Sequence, residues 1–146
     1  MPKTATDPRS PPLKVFLAED DLALRSTIAL LLEKDGHQVR QARDGIDLMV
    51  DLASNVTPLG DILVLTDVRM PMIGGLAIVR SLRREKHCPP FVLMTAFPTP
   101  DVRVEAERLG ALALLDKPFD LDDLRRIVRR VADGRRSGAS GCSPPG

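Results

Sequence analysis

Four short runs of consecutive apolar residues recur along the chain. They show no alternation with polar residues, which is typical of parallel strands that are covered on both faces. The runs cover residues 15–18, 62–65, 91–94 and 112–115. A fifth segment, residues 38–42, has the composition of a less buried strand near a sheet edge. The pattern therefore predicts five strands.

Helical patterns fill the intervals between these runs. Before the first of them, Asp21 is placed to act as an N-cap, and Gly36 can take the left-handed conformation that ends a helix. Thr99 and Pro100 open the fourth pattern as cap and first helical position, and Gly110 ends it. Asp120 caps the fifth pattern. The predicted helices cover residues 22–34, about 46–53, 75–84, 100–109, and a last segment that begins at 121.

The alternation of five strands with five helices predicts an α/β fold, an open parallel sheet with helices on both faces. We expect the folded domain to cover residues 14–133. Residues 1–13 are rich in proline and residues 134–146 in glycine, serine and proline, so both segments are predicted to be disordered. No apolar run approaches the roughly 20 residues of a membrane span, and we expect a cytoplasmic protein without membrane contact.

Composition narrows the function without revealing it. The 146 residues suffice for one domain, and 21 Lys and Arg residues against 20 Asp and Glu residues give a net charge of +1. The overall electrostatic field of the protein therefore does not favour binding to a polyanion. Trp and Tyr are absent, which removes the usual stacking platforms for single-stranded nucleic acid. Direct DNA binding is not expected, and function must come from a local group of residues.

Polar residues follow four of the predicted strands at their carboxyl ends, the edge at which parallel sheets bind ligands. Glu19 and Asp20 follow the first strand, and Asp67 follows the third. Thr95 follows the fourth strand and Lys117 the fifth. Neighbouring carboxylates repel one another unless a cation lies between them, and Mg²⁺ prefers oxygen ligands together with a phosphate. Each residue alone could be a loop residue, but together they indicate a magnesium and phosphate site.

Four motifs that contain these residues resemble the receiver domain of two-component response regulators. They read VFLAEDD, ILVLTDVRMPMIGG, VLMTAF and LLDKPFD, in the family's order and spacing, and they cover the whole predicted domain. The resemblance implies a flavodoxin-like (βα)5 fold, with a five-stranded parallel sheet in the order 2-1-3-4-5.

The resemblance also implies a role for each site residue. Asp67 matches the phosphoacceptor, which takes a phosphoryl group from phosphohistidine in a reaction that depends on Mg²⁺ (or Mn²⁺). Glu19, Asp20 and Asp67 match the metal ligands, together with the backbone carbonyl of Arg69. Thr95 and Lys117 match the residues that contact the phosphoryl group. Such a domain catalyses only its own phosphorylation and dephosphorylation.

The resemblance implies two further features, one at Lys117 and one at Gly75. The bond from Lys117 to Pro118 is cis in the family. Gly75 matches the glycine that follows the phosphoacceptor loop, and in this chain it opens the third predicted helix.

Three positions depart from the family pattern. The switch residue, usually Tyr or Phe, falls on Leu114, which cannot reproduce an amphipathic aromatic ring. We therefore expect the surface of the fourth helix, fifth strand and fifth helix to respond weakly to phosphorylation. Phe97 and Arg69 occupy positions that influence water attack in the family. If Phe97 restricts water and Arg69 contacts the phosphoryl group, the phosphorylated form is long-lived; the alternative is that both side chains point to solvent.

The partners implied by the resemblance are proteins. They are a sensor histidine kinase or a histidine phosphotransfer protein, and a downstream target. A homodimer through the fourth helix, fifth strand and fifth helix stays open. The short segment after the last helix indicates a stand-alone receiver.

Two other functions stay open as alternatives. One is a degenerate receiver that binds proteins independently of phosphorylation. The other is a phosphohydrolase of the haloacid dehalogenase type with an Asp nucleophile. Those enzymes carry a second Asp two residues after the nucleophile, where this chain has Arg69.

Overall fold

The computed structural model describes residues 12–84 and 88–136. The strands are β1 (Lys14–Ala18), β2 (Gln38–Ala42), β3 (Ile62–Asp67), β4 (Phe91–Thr95) and β5 (Leu114–Asp116). The helices are α1 (Leu22–Lys34), α2 (Gly45–Ala53), α3 (Gly75–Arg84), α4 (Pro100–Leu109) and α5 (Leu121–Arg136), and a 3₁₀ turn (Leu59–Asp61) precedes β3.

The five strands form one parallel sheet in the order β2-β1-β3-β4-β5. The chain moves from β1 outward to β2 and then returns to place β3 on the other side of β1. The strand order thus reverses between β1 and β3, and sheets of this kind bind ligands at the carboxyl ends of the strands at such a point. The predicted flavodoxin-like fold is confirmed, including the position of β2 at a sheet edge.

The sheet separates two apolar cores because alternate side chains of each strand point to opposite faces. Phe16 and Val64 contribute to the core that includes residues of α2, α3 and α4. Leu17 and Leu65 contribute to the opposite core, which includes residues of α1 and α5. Every residue of β3 is buried, as expected for the middle strand of a sheet covered on both faces.

The predicted helix ends are confirmed by their hydrogen bonds. The Asp21 side chain accepts from the amides of Ala23 and Leu24 at 3.0 and 3.3 Å. The Thr99 hydroxyl accepts from the Val102 amide, and Gly110 ends α4 with φ of 87°. The Asp21 and Thr99 side chains satisfy amides that have no partner within the helix, and the Gly110 amide donates to carbonyls at the end of α4.

The fifth strand differs from its prediction. Residues 112–115 were predicted from a continuous apolar run, but β5 begins at Leu114, and Leu112 is 50 % exposed. β5 lies at the sheet edge beyond β4, so its residues are only half-buried or exposed. An apolar run does not by itself distinguish an edge strand from a central one.

Both domain boundaries also differ from those predicted. Leu13, assigned to the disordered segment 1–13, is only 1 % exposed, and its amide donates to His37 Nδ1 at 3.0 Å. At the other end, α5 continues past position 133 to Arg136. The remainder of the predicted segments 1–13 and 134–146 lies outside the described residues. Among the helices of the described part of the chain, none is long and apolar enough to cross a bilayer.

Candidate functional site

Three carboxylates meet at the carboxyl edge of the sheet. Asp67 is the last residue of β3, and Glu19 and Asp20 directly follow the neighbouring strand β1. One carboxylate oxygen from each lies within 4.8 Å of the others. Glu19 and Asp67 are buried, with 0 % and 5 % of their surface exposed, whereas Asp20 is open to solvent. The structure therefore brings the predicted acidic residues together.

Lys117 connects two of these carboxylates. Its Nζ lies 2.6 Å from Glu19 Oε1 and also donates to Asp67 Oδ2. The lysine reaches the site from the loop after β5, where its amide donates to the Thr95 carbonyl at 2.7 Å. The Lys117–Pro118 peptide bond is cis, as the resemblance implied.

The site leaves the acidic groups only partly neutralised. Burial of the Glu19 carboxyl raises its pKa, although hydrogen bonds from Lys117 and from the Asp21 amide act in the opposite direction. Burial disfavours the charged form of Lys117, but its hydrogen bonds to Asp67 and Glu19 together outweigh this and raise its pKa. The pKa values of Glu19 and Lys117 can both be raised because one ammonium group binds two carboxylates that repel each other. The remaining negative charge suits a further cation.

The backbone after β3 holds the Asp67 carboxylate in place. Its Oδ1 accepts from the Arg69 amide at 3.0 Å, while Oδ2 binds Lys117. The chain then turns back, and the Gly75 amide donates to the Val68 carbonyl at 3.0 Å. A Cβ atom on Gly75 would lie 2.4 Å from the Asp67 carbonyl oxygen. Only glycine allows α3 to start this close to β3.

Thr95 lies on the adjacent strand at the same edge. It directly follows Met94, which pairs with Asp67, so it stands one residue further towards the edge. Thr95 is 1 % exposed, and its hydroxyl accepts from the Phe97 amide at 3.0 Å. The hydroxyl is thus held at the beginning of the loop that leads to α4.

Arg69 and Phe97 contact each other. The guanidinium carbon of Arg69 lies 4.7 Å from the centre of the Phe97 ring, a cation–π geometry. Phe97 is 55 % exposed. The stack joins the loop after β3 to the loop after β4, both of which begin at site residues. The role of the Arg69 carbonyl as a metal ligand stays a prediction.

Arg25 was not singled out in the sequence. It lies on α1 and is 9 % exposed, and its Nη1 donates to the Glu19 carbonyl at 2.8 Å. A signal was present, because Arg25 precedes Ile28, Ala29 and Leu32 at the spacing of one helix face, and all four are buried. A charged residue on the buried face of a helix indicates a specific partner.

The donor set of the site fits magnesium. Glu19, Asp20 and Asp67 offer carboxylate oxygens, which are the ligands that this hard cation prefers. A divalent ion would also relieve the repulsion between carboxylates that Lys117 alone does not remove. These residues therefore suit the metal implied by the resemblance.

The fold and the site together define a flavodoxin-like α/β protein with an acidic, lysine-bridged site at the switch point of its sheet. The family model of the response regulator receiver domain matches residues 15–129. This chain belongs to that family.

Curated relatives agree with this assignment. Response regulator MprA from a Mycobacterium species is 34 % identical over 83 % of this chain and 53 % of its own length. The DNA-binding transcriptional regulator NtrC of Escherichia coli is 34 % identical over 80 % of this chain and 24 % of its own length. The chain thus spans about half of the length of MprA and about a quarter of the length of NtrC.

Solved structures share the fold. Chemotaxis protein CheY4 of Vibrio cholerae superposes with a TM-score of 0.72 at 24 % identity, covering 83 % of this chain and 99 % of that one. Response regulator TrrA of Thermotoga maritima, solved in complex with Mg(2+)-BeF, gives a TM-score of 0.69 at 22 % identity, covering 82 % and 98 %.

Proposed function

We propose that Asp67 accepts a phosphoryl group from the phosphohistidine of a sensor histidine kinase or a histidine phosphotransfer protein. The phosphorylated domain then presents a changed surface to a downstream protein. The observation that carries this proposal is the meeting of Glu19, Asp20, Asp67 and Lys117 at one edge of the sheet. A phosphohydrolase is not favoured, since Arg69 stands where such enzymes have a second Asp.

The transfer requires one bond to form and one to break. An Asp67 carboxylate oxygen attacks phosphorus, the P–O bond forms as the P–N bond breaks, and the imidazole leaves with the electron pair. Lys117 already donates to Asp67 Oδ2 and can follow the negative charge to a phosphoryl oxygen. The Thr95 hydroxyl can donate to another of these oxygens.

Glu19, Asp20 and Asp67, together with the Arg69 carbonyl, would hold the Mg²⁺ (or Mn²⁺). When bound, the metal neutralises charge that develops on the transferred group. The residues of the chain then have separate tasks. Asp67 is the nucleophile, Lys117 and Thr95 orient the phosphoryl group, and Phe97 with Arg69 limits the access of water.

We place the output surface on α4, β5 and α5, which would contact a downstream protein or a second copy of the chain. In this scheme the domain catalyses only its own phosphorylation and dephosphorylation, in the cytoplasm. Leu114 of β5 packs against the core beside α4, so a change at Thr95 would reach this surface through an aliphatic contact.

The direct test is phosphorylation by a small donor. Purified protein is incubated with acetyl phosphate and Mg²⁺, and covalent phosphate is measured by intact-protein mass spectrometry. We expect one phosphoryl group on the wild type and none on Asp67→Asn, which keeps the shape of the side chain but removes the nucleophilic charge. Chelation of the metal should abolish labelling of the wild type.

Two controls distinguish the alternatives. Asp116→Asn removes a carboxylate from the same sheet edge, where it pairs with Arg103, and should leave labelling intact. Equal labelling of wild type and Asp67→Asn would contradict the assignment. A wild type that stays unlabelled by both acetyl phosphate and a phosphorylated kinase would favour the degenerate, protein-binding receiver.

A further inference from the structure

Arg25 is a buried cation beside the acidic site. In the described part of the chain, the other buried polar or charged side chains are Glu19, Thr66, Asp67 and Thr95, which all lie at the ends of β1, β3 and β4. Arg25 instead comes from α1 and is turned towards that edge. Burial of a guanidinium is costly unless its hydrogen bonds are specific.

The hydrogen bonds of Arg25 connect α1 with two strand ends. Nη1 donates to the Glu19 carbonyl at 2.8 Å, and Nε donates to Gln41 Oε1 at 3.3 Å on β2. Both acceptors are neutral oxygens. The guanidinium therefore does not neutralise a carboxylate through these bonds, and its contribution there is to fix geometry.

Each polar group of Glu19 has a partner. Its amide donates to the Ala42 carbonyl at 3.1 Å, and its carbonyl accepts from Arg25. Its carboxylate accepts from Lys117 through Oε1 and from the Asp21 amide through Oε2. Arg25 is the partner that fixes the peptide group between Glu19 and Asp20. Since a peptide group is planar, fixing its carbonyl also fixes the direction in which the chain continues to Asp20.

We propose that Arg25 is a positioning residue for the metal site, which holds the Glu19–Asp20 peptide so that both carboxylates face Asp67. This inference rests on the proposed function, because it assumes that the three carboxylates bind a divalent cation. It assigns to α1 a task beyond packing, namely the orientation of the exposed ligand Asp20.

Removal of Arg25 has two opposite effects on metal affinity. The direction in which the affinity changes therefore tests the inference. Loss of a positive charge near the site strengthens the binding of a cation. Loss of the peptide's partner weakens binding because the carboxylates no longer converge, and partners that orient metal ligands typically affect affinity by 10- to 100-fold. A positioning role predicts that the second effect prevails.

The experiment measures Mg²⁺ affinity by isothermal titration calorimetry in the absence of a phosphodonor. We expect Arg25→Met to bind Mg²⁺ about tenfold more weakly than the wild type. Arg25→Lys keeps the charge and can make one hydrogen bond to the Glu19 carbonyl, so its Mg²⁺ affinity should fall only a few-fold. Arg129→Met is the matched control, since it removes one charge from an exposed position on α5 and should bind as the wild type does.

A second measurement follows the metal-free protein. Hydrogen exchange of the Asp21 amide, which donates to Glu19 Oε2, should accelerate in Arg25→Met and much less in Arg25→Lys. A protein in which Arg25 serves packing alone would show lower thermal stability with unchanged exchange at this amide relative to its neighbours in α1.

The outcomes separate the inference from the proposed function. If the wild type binds no Mg²⁺, the proposed metal site itself is wrong. If the wild type binds Mg²⁺ and folded Arg25→Met binds equally or more tightly, the positioning role is wrong and the function stands. If Arg25→Met does not fold, Arg25→Lys decides, and an unchanged affinity in that variant overturns the inference.

Discussion

The stack of Arg69 and Phe97 joins the two loops that begin at Asp67 and Thr95. Its geometry is that of a cation–π contact, and at an exposed position such a contact contributes about 0.5–1 kcal/mol. The Arg69 amide also donates to Asp67 Oδ1, so the stack restrains a residue that holds the proposed phosphoacceptor. Both side chains are exposed, so the alternative that they point to solvent stays open, and their effect on water access stays a prediction.

The first prediction concerns the lifetime of the phosphorylated form. Phe97→Ala removes the ring on which Arg69 rests and should open the site to water. We expect hydrolysis of the phosphorylated wild type to be slow and that of Phe97→Ala to be about fivefold faster, the effect of about 1 kcal/mol on a barrier. The measurement is the decay of the phosphorylated species by mass spectrometry after removal of the donor.

A double-mutant cycle tests whether the two side chains act as a pair. Arg69→Ala should also accelerate hydrolysis, and the double variant should be no faster than either single one. Phe97→Leu serves as a control that keeps bulk but removes the aromatic face. Unchanged decay in Phe97→Ala would contradict the proposed role of the ring.

At the scale of elements, α4 is connected to its neighbours on both sides by ion pairs. Glu105 of α4 accepts from Arg80 of α3 at 2.9 Å and from Arg108 of its own helix. Arg103 of α4 pairs with Asp116 at the end of β5 at 2.6 Å. Exposed pairs of this kind contribute little individually. Together they connect α4 to α3 and to β5, which with α4 belongs to the proposed output surface.

The second prediction is a titration of Glu105. Hydrogen bonds from Arg108 and Arg80 lower its pKa to about 2. Because the folded-state pKa lies below the ordinary value of 4.5, the stabilisation is complete above that value and is lost as the pH falls towards 2. Carboxyl NMR should find Glu105 still ionised at about pH 3.5, where an unperturbed glutamate is mostly protonated.

Variants of the two arginines test how much each one lowers the Glu105 pKa. Arg108→Ala should raise the Glu105 pKa most and Arg80→Ala should raise it less, following the order of the two hydrogen-bond contributions. A midpoint near 4.5 in the wild type would show that the ion pairs do not persist in solution.

At the scale of the whole molecule, the proposed function requires a signal from Asp67 to reach a surface on the other side of β4. Leu114 lies on that route, since it pairs with Leu93 of β4 and packs half-buried against the core beside α4. A leucine can repack there, but it lacks the ring with a polar tip that an aromatic switch residue provides.

The third prediction follows from this substitution. On addition of Mg²⁺ and beryllofluoride, we expect large amide shifts around Asp67 and Thr95 but small ones in α4, β5 and α5. Leu114→Tyr, the matched variant, should enlarge the shifts on that surface. Wild-type shifts there as large as those of Leu114→Tyr would show that leucine transmits the change equally well.

Local chemistry explains why much of this molecule was predictable. The bounds of α1, β2, α3 and α4 follow from caps and periodicities within a few residues, such as Asp21 before α1 and Gly110 after α4. The edge at which Glu19, Asp20 and Asp67 meet follows from the general geometry of parallel sheets.

Tertiary structure decided the features that join distant parts of the chain. The amino-acid sequence alone determined the order of elements, the sheet class and the acidic residues at its carboxyl edge, because those depend on near neighbours and on rules common to such sheets. The bond from Arg25 to the Glu19 carbonyl, the stack of Arg69 on Phe97 and the burial of Leu13 depend on distances between packed elements. No local pattern encodes these distances, since they arise only when the helices settle on the sheet.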